Sequence, residues 1–249
     1  MAGSNNADIQ IYYLSEGALT VQFGNQISNQ ALANVQRLNN LVCQSPFDGL
    51  ISTVPAYTTL SVFFDPVIVI ADQAMQGVDC FEKVSNFIKE RIAEKSTNAA
   101  GNFHTVEVPV CYGGDFGPDL DFVAKTNGLS ADEVISIHHS AKYTVGMIGF
   151  LPGFAYLMGL DERLATPRKA SPRKFVPAGS VGIAGSQTGI YPLDSPGGWQ
   201  IIGRTPLTMF NAEGEQTSLL KAGDKVVFKP ITRDEFNFIT GNQYADQDQ

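Results

Sequence analysis

Five of the chain's 17 lysines and arginines fall within twelve residues: Arg163, Arg168, Lys169, Arg173 and Lys174. The steps "TPRK" and "SPRK" repeat five residues apart. Proline fixes φ ahead of each arginine and so holds the guanidinium in a defined direction. A guanidinium held this way takes a carboxylate or phosphate through two parallel hydrogen bonds, which lysine cannot do. In an acidic chain the cluster points to an anionic ligand, or else to a solvated loop paired with nearby acids or a patch against a partner protein. The stretch Pro177–Pro206, "PAGSVGIAGSQTGIYPLDSPGGWQIIGRTP", interleaves glycine with Gln187, Thr188, Tyr191, Ser195, Trp199, Arg204 and Thr205. Glycine lets backbone N–H groups approach a ligand closely. Trp199, the single tryptophan, follows Gly197-Gly198 and suits a flat wall for a small planar molecule, with Arg204 as a second anion holder. The alternative is a set of turns in a small barrel, with Trp199 plugging one end.

Two further groups can move protons. Asp119, in "CYGGDFGPDLD", stands where a helix starts, so it is a cap, a helix-dipole partner, or a carboxylate serving as base or magnesium contact. His138 and His139 end a helix, where histidine is favoured electrostatically, and either can act as acid and base near neutral pH. The uncharged stretch "GFLPGFAYLMGL", Gly149–Leu160, raises the question of a membrane anchor. The apolar run Val145–Leu160 has about 16 residues, broken by glycine and proline, where roughly 20 helical ones are needed. It is therefore a piece of core or the wall of a site. No HExxH, CxxC or Cys/His cluster predicts a tightly held metal, and no GxxxxGK[ST] loop, GxSxG elbow or strand–GxGxxG–helix unit appears.

These residues need a scaffold, and the pattern supplies two. Residues 1–96 alternate strands ("DIQIYYL", "ALTVQFG", "LISTV", "TTLSVFF") with two amphipathic helices. One helix is capped by Ser28 and the other carries Phe81, Val84, Phe87, Ile88 and Ile92 on one face. That predicts a small α+β sandwich of ferredoxin-like type. "KSTNAAGN", Lys95–Asn102, reads as the linker. Residues 103–240 open with the strand "HTVEVPV", then two short helices, one ending at Gly128 and one with a Ser130/Glu133 capping box. Between Gly146 and Gly214 lie 12 of the 24 glycines and 7 of the 13 prolines, which predicts short strands in a closed or partly closed β-barrel. Thr232 and Glu235 cap a last short helix, and residues 241–249 read as a tail.

The totals bound the partners. At 249 residues, 43% apolar and 17% charged, the chain has ample core for two soluble globular domains. A net charge of −8 excludes nucleic acid and anionic membrane as partners of the molecule at large. Three scattered cysteines and no basic-then-apolar leader predict a reduced, cytoplasmic protein.

The blocks "YTVGMIGFLPGFAYLMGL", "PRKASPRKFVPAGSVGIAGSQTGIYPLDSPGGWQIIGRTP", "VCYGGDFGPDLDFVAKTNGLSADEVISIHH" and "AGDKVVFKPITRDEF" together resemble the KipI/PxpB family. Its members are the B subunits of bacterial ATP-dependent 5-oxoprolinase, related to part of the carboxyltransferase domain of urea amidolyase. The resemblance implies a small N-terminal α/β domain and a cyclophilin-like β-barrel. It further implies the 5-oxoprolinase A and C subunits as partners, and opening of 5-oxoproline to L-glutamate with ATP hydrolysis. ATP and magnesium are then supplied through the complex, with no tightly bound cofactor in this chain. The resemblance and the residue types name Asp119, His138 and Arg204 as candidate catalytic residues. Phe150, Pro152, Phe154, Arg168, Arg173, Gln187, Tyr191, Trp199 and Thr205 are candidate contacts to a small anionic substrate. Two other readings stay open: a KipI-like inhibitor of a sensor histidine kinase, and a carboxyltransferase component acting on biotin and a urea-like substrate.

Overall fold

The computed structural model describes residues 9–94, 104–214 and 216–245, and the chain divides into two compact units, Met1–Asn102 and Phe103–Gln249. The linker read at Lys95–Asn102 lies outside the described residues.

In the first unit the order is β1 (Ile9–Ser15), β2 (Ala18–Phe23), α1 (Asn29–Gln44), β3 (Leu50–Ala56), β4 (Thr59–Phe64), α2 (Pro66–Ala71) and α3 (Cys80–Ala93). Ser28 starts α1 by accepting from Ala31 N at 3.1 Å, and Leu32, Val35, Leu38 and Val42 bury the face that follows. The strands form one antiparallel sheet in the order β1-β2-β4-β3. Their period of two sends Leu19, Val21, Phe23, Leu60, Val62 and Phe64 into a core shared with α1, α2 and α3. Each such buried side chain contributes about 1.5–3 kcal/mol relative to exposure. A ferredoxin-like unit runs β-α-β-β-α-β. Here the chain runs β-β-α-β-β-α-α, and the edge beside β2 is filled by the N-terminal β1 rather than by a strand after the last helix. The mixed sheet-and-helix sandwich is present; its chain order is different. The short α2 was missed in the sequence. Asp65 accepts from Val67 N and Ile68 N, Pro66 occupies the first turn, and the Lys83 ammonium of α3 donates to the carbonyls of Val69, Ile70 and Asp72.

The second unit contains β5 (Thr105–Tyr112), α4 (Leu120–Asn127), α5 (Ala131–Ser140), β6 (Tyr143–Ile148), β7 (Ala155–Met158) and β8 (Arg173–Val176). It continues with β9 (Ser180–Ala184), β10 (Gln187–Ile190), β11 (Ser195–Gly197), β12 (Gln200–Arg204), β13 (Lys225–Pro230) and α6 (Arg233–Ala245). Seven strands close a barrel in the order β10-β7-β6-β13-β5-β12-β9, while β8 and β11 form a separate ribbon. The β5–β13 pair is parallel and the other barrel pairs are antiparallel. Val108, Val145, Leu157, Ile183, Ile202 and Phe228 are among the side chains filling it. The capping box of Ser130 and Glu133 starts α5, and Gly128 ends α4 where expected, in the left-handed conformation that glycine adopts without strain. Helix α6 continues to Ala245, so residues 241–245, expected in the tail, are helical.

Candidate functional site

The uncharged GFLPGF segment forms a tight loop between β6 and β7. It is pinned by Gly149 N to Phe154 O at 3.1 Å and Phe154 N to Leu151 O at 3.0 Å. Its Phe150 has φ of 72°, the single non-glycine residue with positive φ among the described residues, and the residue is 64% exposed. A bulky residue in that region is strained by roughly 1–2 kcal/mol, and here the strain presents an aromatic ring to solvent. Phe150 and Leu151 form one side of a cleft of about 490 Å³. Tyr156 of β7 and Tyr191, which follows β10, add two phenols, and Ser195, Gly197, Gly198 and Trp199 of the β11 segment complete the lining with the loop cations.

Behind this surface lies an aromatic cluster. Phe154, 1% exposed, meets Phe150, Tyr156, Tyr191 and Trp199 at centroid distances of 4.7–5.6 Å, three of the four edge-on. The glycines around it make room for rings as much as for a ligand. A Cβ on Gly189 would stand 3.0 Å from Trp199 and 3.1 Å from Phe154, and one on Gly197 would collide with the Tyr191 hydroxyl. Trp199 thus plugs the cluster, and part of it faces the cleft.

The cations come from the loop before β8 and from its first residue, Arg173. Lys169 N donates to Gly198 O at 2.8 Å and Gln200 Nε2 to Pro167 O at 2.9 Å, which fastens the first PRK step to the β11–β12 segment. Arg168 is exposed, its guanidinium carbon 5.9 Å from the centre of the Trp199 ring, at the limit of a cation–π contact. Asp119 stands at the N-cap position of α4, but its side chain makes no cap hydrogen bond. Its carboxylate accepts from Arg173 Nη2 at 2.6 Å, from Lys169 Nζ at 3.2 Å and from Ile201 N at 2.7 Å. Burial alone would push its pKa up, but the Arg173 and Ile201 hydrogen bonds outweigh burial and hold it below the usual carboxylate range. Three cations and one carboxylate leave positive charge in excess beside the aromatic wall, and Arg168 is in no ion pair among the described residues. Burial raises the pKa of both Tyr156 and Tyr191, against the opposing pull of Arg168, so both remain phenols at neutral pH. No lining residue is a carboxylate.

The family model described as carboxyltransferase domain, subdomain C and D, matches residues 9–220. The protein belongs to this family. It is 46% identical to the 5-oxoprolinase B subunit of Bacillus subtilis over 92% of this chain and 95% of the relative. It is 37% identical to the corresponding B subunit of Escherichia coli O157:H7, over 88% of this chain and 94% of that one. Among solved structures, a conserved uncharacterized protein of Pyrococcus horikoshii is similar at 45% identity with a TM-score of 0.53, covering 91% of this chain and 100% of the other.

In this carboxyltransferase subdomain C and D protein the candidate residues divide. Phe150, Arg168, Tyr191 and Trp199 line the cleft, with Phe154 and Arg173 directly behind. Pro152 is exposed at the tip of the loop and outside the lining. Arg204 does not join the other arginines: its Nε donates to Ala178 O at 2.7 Å and its guanidinium lies 5.9 Å from the Phe236 ring. Thr205 is buried, its N–H given to Gly179 O and its hydroxyl accepting from Leu207 N. Gln187, at the start of β10, is half-buried and outside the lining. His138 is fully buried in the barrel unit. Its Nδ1 is 2.8 Å from Tyr112 Oη and its Nε2 is 3.0 Å from Thr188 Oγ1, while Thr188 donates onward to Gly182 O. That order assigns the proton to Nε2. Burial, with a smaller push from His139, depresses its pKa to about 3. Lys169, one of the clustered cations of the sequence, also lines the cleft, and sequence reasoning missed Tyr156. Tyr156 had a signal, since it follows Phe154 by two residues and so shares a face with it at the start of β7.

Proposed function

We propose that the protein is the B subunit of an ATP-dependent 5-oxoprolinase and that its cleft holds the substrate end of that reaction, with a barrel of the cyclophilin-like kind as scaffold. What carries the reading is the 46% identity to a 5-oxoprolinase B subunit over nearly the whole of both chains. The cleft supports it chemically. A five-membered lactam is a small ring that packs against the exposed Phe150 and the half-buried Tyr156, and its carboxylate matches the uncompensated Arg168. The lactam is a stable amide, and phosphoryl transfer to its carbonyl oxygen creates a better leaving group for attack by water. Fixed cations and donors stabilise that transfer without a covalent nucleophile. ATP and its magnesium belong to the complex: the cleft has no carboxylate for a hard cation. The A and C subunits are the proposed partners.

The test is reconstitution with these two partners. Glutamate release from 5-oxoproline is expected only with ATP present. Arg168→Ala is expected to raise KM by roughly 10–100-fold, the worth of a charge-assisted hydrogen bond, without lowering the melting temperature. A wild-type KM for 5-oxoproline in that variant refutes the carboxylate site.

A further inference from the structure

Five buried side-chain polar atoms among the described residues have no hydrogen-bond partner, and one belongs to a residue lining the cleft: Ser195 Oγ. Ser195 is 7% exposed, and its place is fixed on both sides. It pairs with Val176 across the β8–β11 ribbon, and the preceding Asp194 accepts from Ala178 N at 2.7 Å. The orphaned hydroxyl is therefore not the accident of a loose loop. A buried hydroxyl without a partner costs stability, and replacing it by an apolar group relieves that cost. Its retention against the wall of an aromatic, cationic cleft needs a reason from outside the folded chain.

We propose that Ser195 determines specificity in this cleft by hydrogen-bonding the amide edge of a cyclic-amide carboxylate whose acid group is held at Arg168. The inference rests on the reading of the cleft given above. A five-membered lactam carries its N–H and C=O on one edge, and a serine hydroxyl both donates and accepts. It reaches three staggered positions about χ1, so a ligand seated on the wall draws it out of its unpaired state. The aromatic wall provides contact area for any ring of that size, and Arg168 takes any small acid. Ser195 is the group that tells a lactam from a plain carbocycle.

The test is titration calorimetry on the full chain with 5-oxo-L-proline and with cyclopentanecarboxylate, which keeps the ring size and the acid and lacks the amide. The wild-type chain is expected to prefer the lactam by roughly tenfold, the worth of one buried hydrogen bond. Ser195→Ala should bring the two affinities level by weakening only the lactam, with a melting temperature unchanged or higher. Arg168→Ala should weaken both ligands alike. Retention of the wild-type preference in Ser195→Ala, with both ligands bound, overturns the role of Ser195 and leaves the cleft reading standing. Equal weakening of both ligands with a lowered melting temperature also overturns it, because that marks a structural serine. Absence of binding by the wild-type chain to either compound refutes the cleft reading and the proposal together.

Discussion

Asp119 and His138 are both chemically capable side chains, and their surroundings give each a fixed structural task. Asp119 joins Lys169, Arg173 and Ile201, which lie 50, 54 and 82 residues away in the chain. A cap is a local property and was legible as an option at Asp119; partners so distant were not. His138 is held neutral between Tyr112 and Thr188 and stacks on Phe228 at 4.6 Å. Its pKa of about 3 lies below the 6.5 of an exposed histidine, so between those values the unfolded chain binds a proton that the folded chain refuses. Stability contributed by the neutral ring is complete above pH 6.5 and is lost as pH falls through that window. At pH 4.5, two units below 6.5, the loss is about 3 kcal/mol at ~1.4 kcal/mol per unit. Urea unfolding at pH 7 and 4.5 measures it, and His138→Gln is expected to remove that part of the pH dependence. The arginines divide similarly. "PR" steps announced held guanidinium groups, but which one stays free for a ligand depends on where the buried carboxylate of Asp119 lies.

Elements were most legible where their signals are short-range. Ser28, the Ser130/Glu133 box and Gly128 each act within a turn of themselves, and α1, α4 and α5 start or stop where those residues stand. Helix α2 shows the reverse. "PVIVIA" has the β-branched content of a strand, and the helix depends on Asp65 at one end and on Lys83 of another helix at the other. Glycine density foretold the barrel correctly and misled about its purpose at Gly189. A Cβ there would stand 2.9 Å from Ala155 O as well as against Trp199 and Phe154, and backbone cannot move aside as a side chain can. Gly189→Ala is expected to destabilise the protein by about 1–3 kcal/mol. It should also shift the emission of Trp199, the chain's one tryptophan; a melting curve and a fluorescence spectrum matching wild type would contradict that.

The whole second unit depends on a pairing that periodicity cannot reveal. Strand β5 opens the unit, β13 nearly ends it, and the two lie parallel from Thr105↔Lys225 to Val110↔Pro230. The join is reinforced at His104, whose N–H reaches Asp224 Oδ1 at 3.2 Å and whose carbonyl accepts from Lys225 N at 2.8 Å. A chain stopped after Gly223 is expected to lose the cooperative transition reported by Trp199 while the first unit, with its separate core, keeps its helical signal in circular dichroism. The same join sets a timetable on the ribosome. At ~5–20 residues per second, the 120 residues separating His104 from Asp224 take on the order of ten seconds to emerge. For that interval the nascent chain carries β5 with one edge waiting for a strand not yet made, and slower translation prolongs the wait.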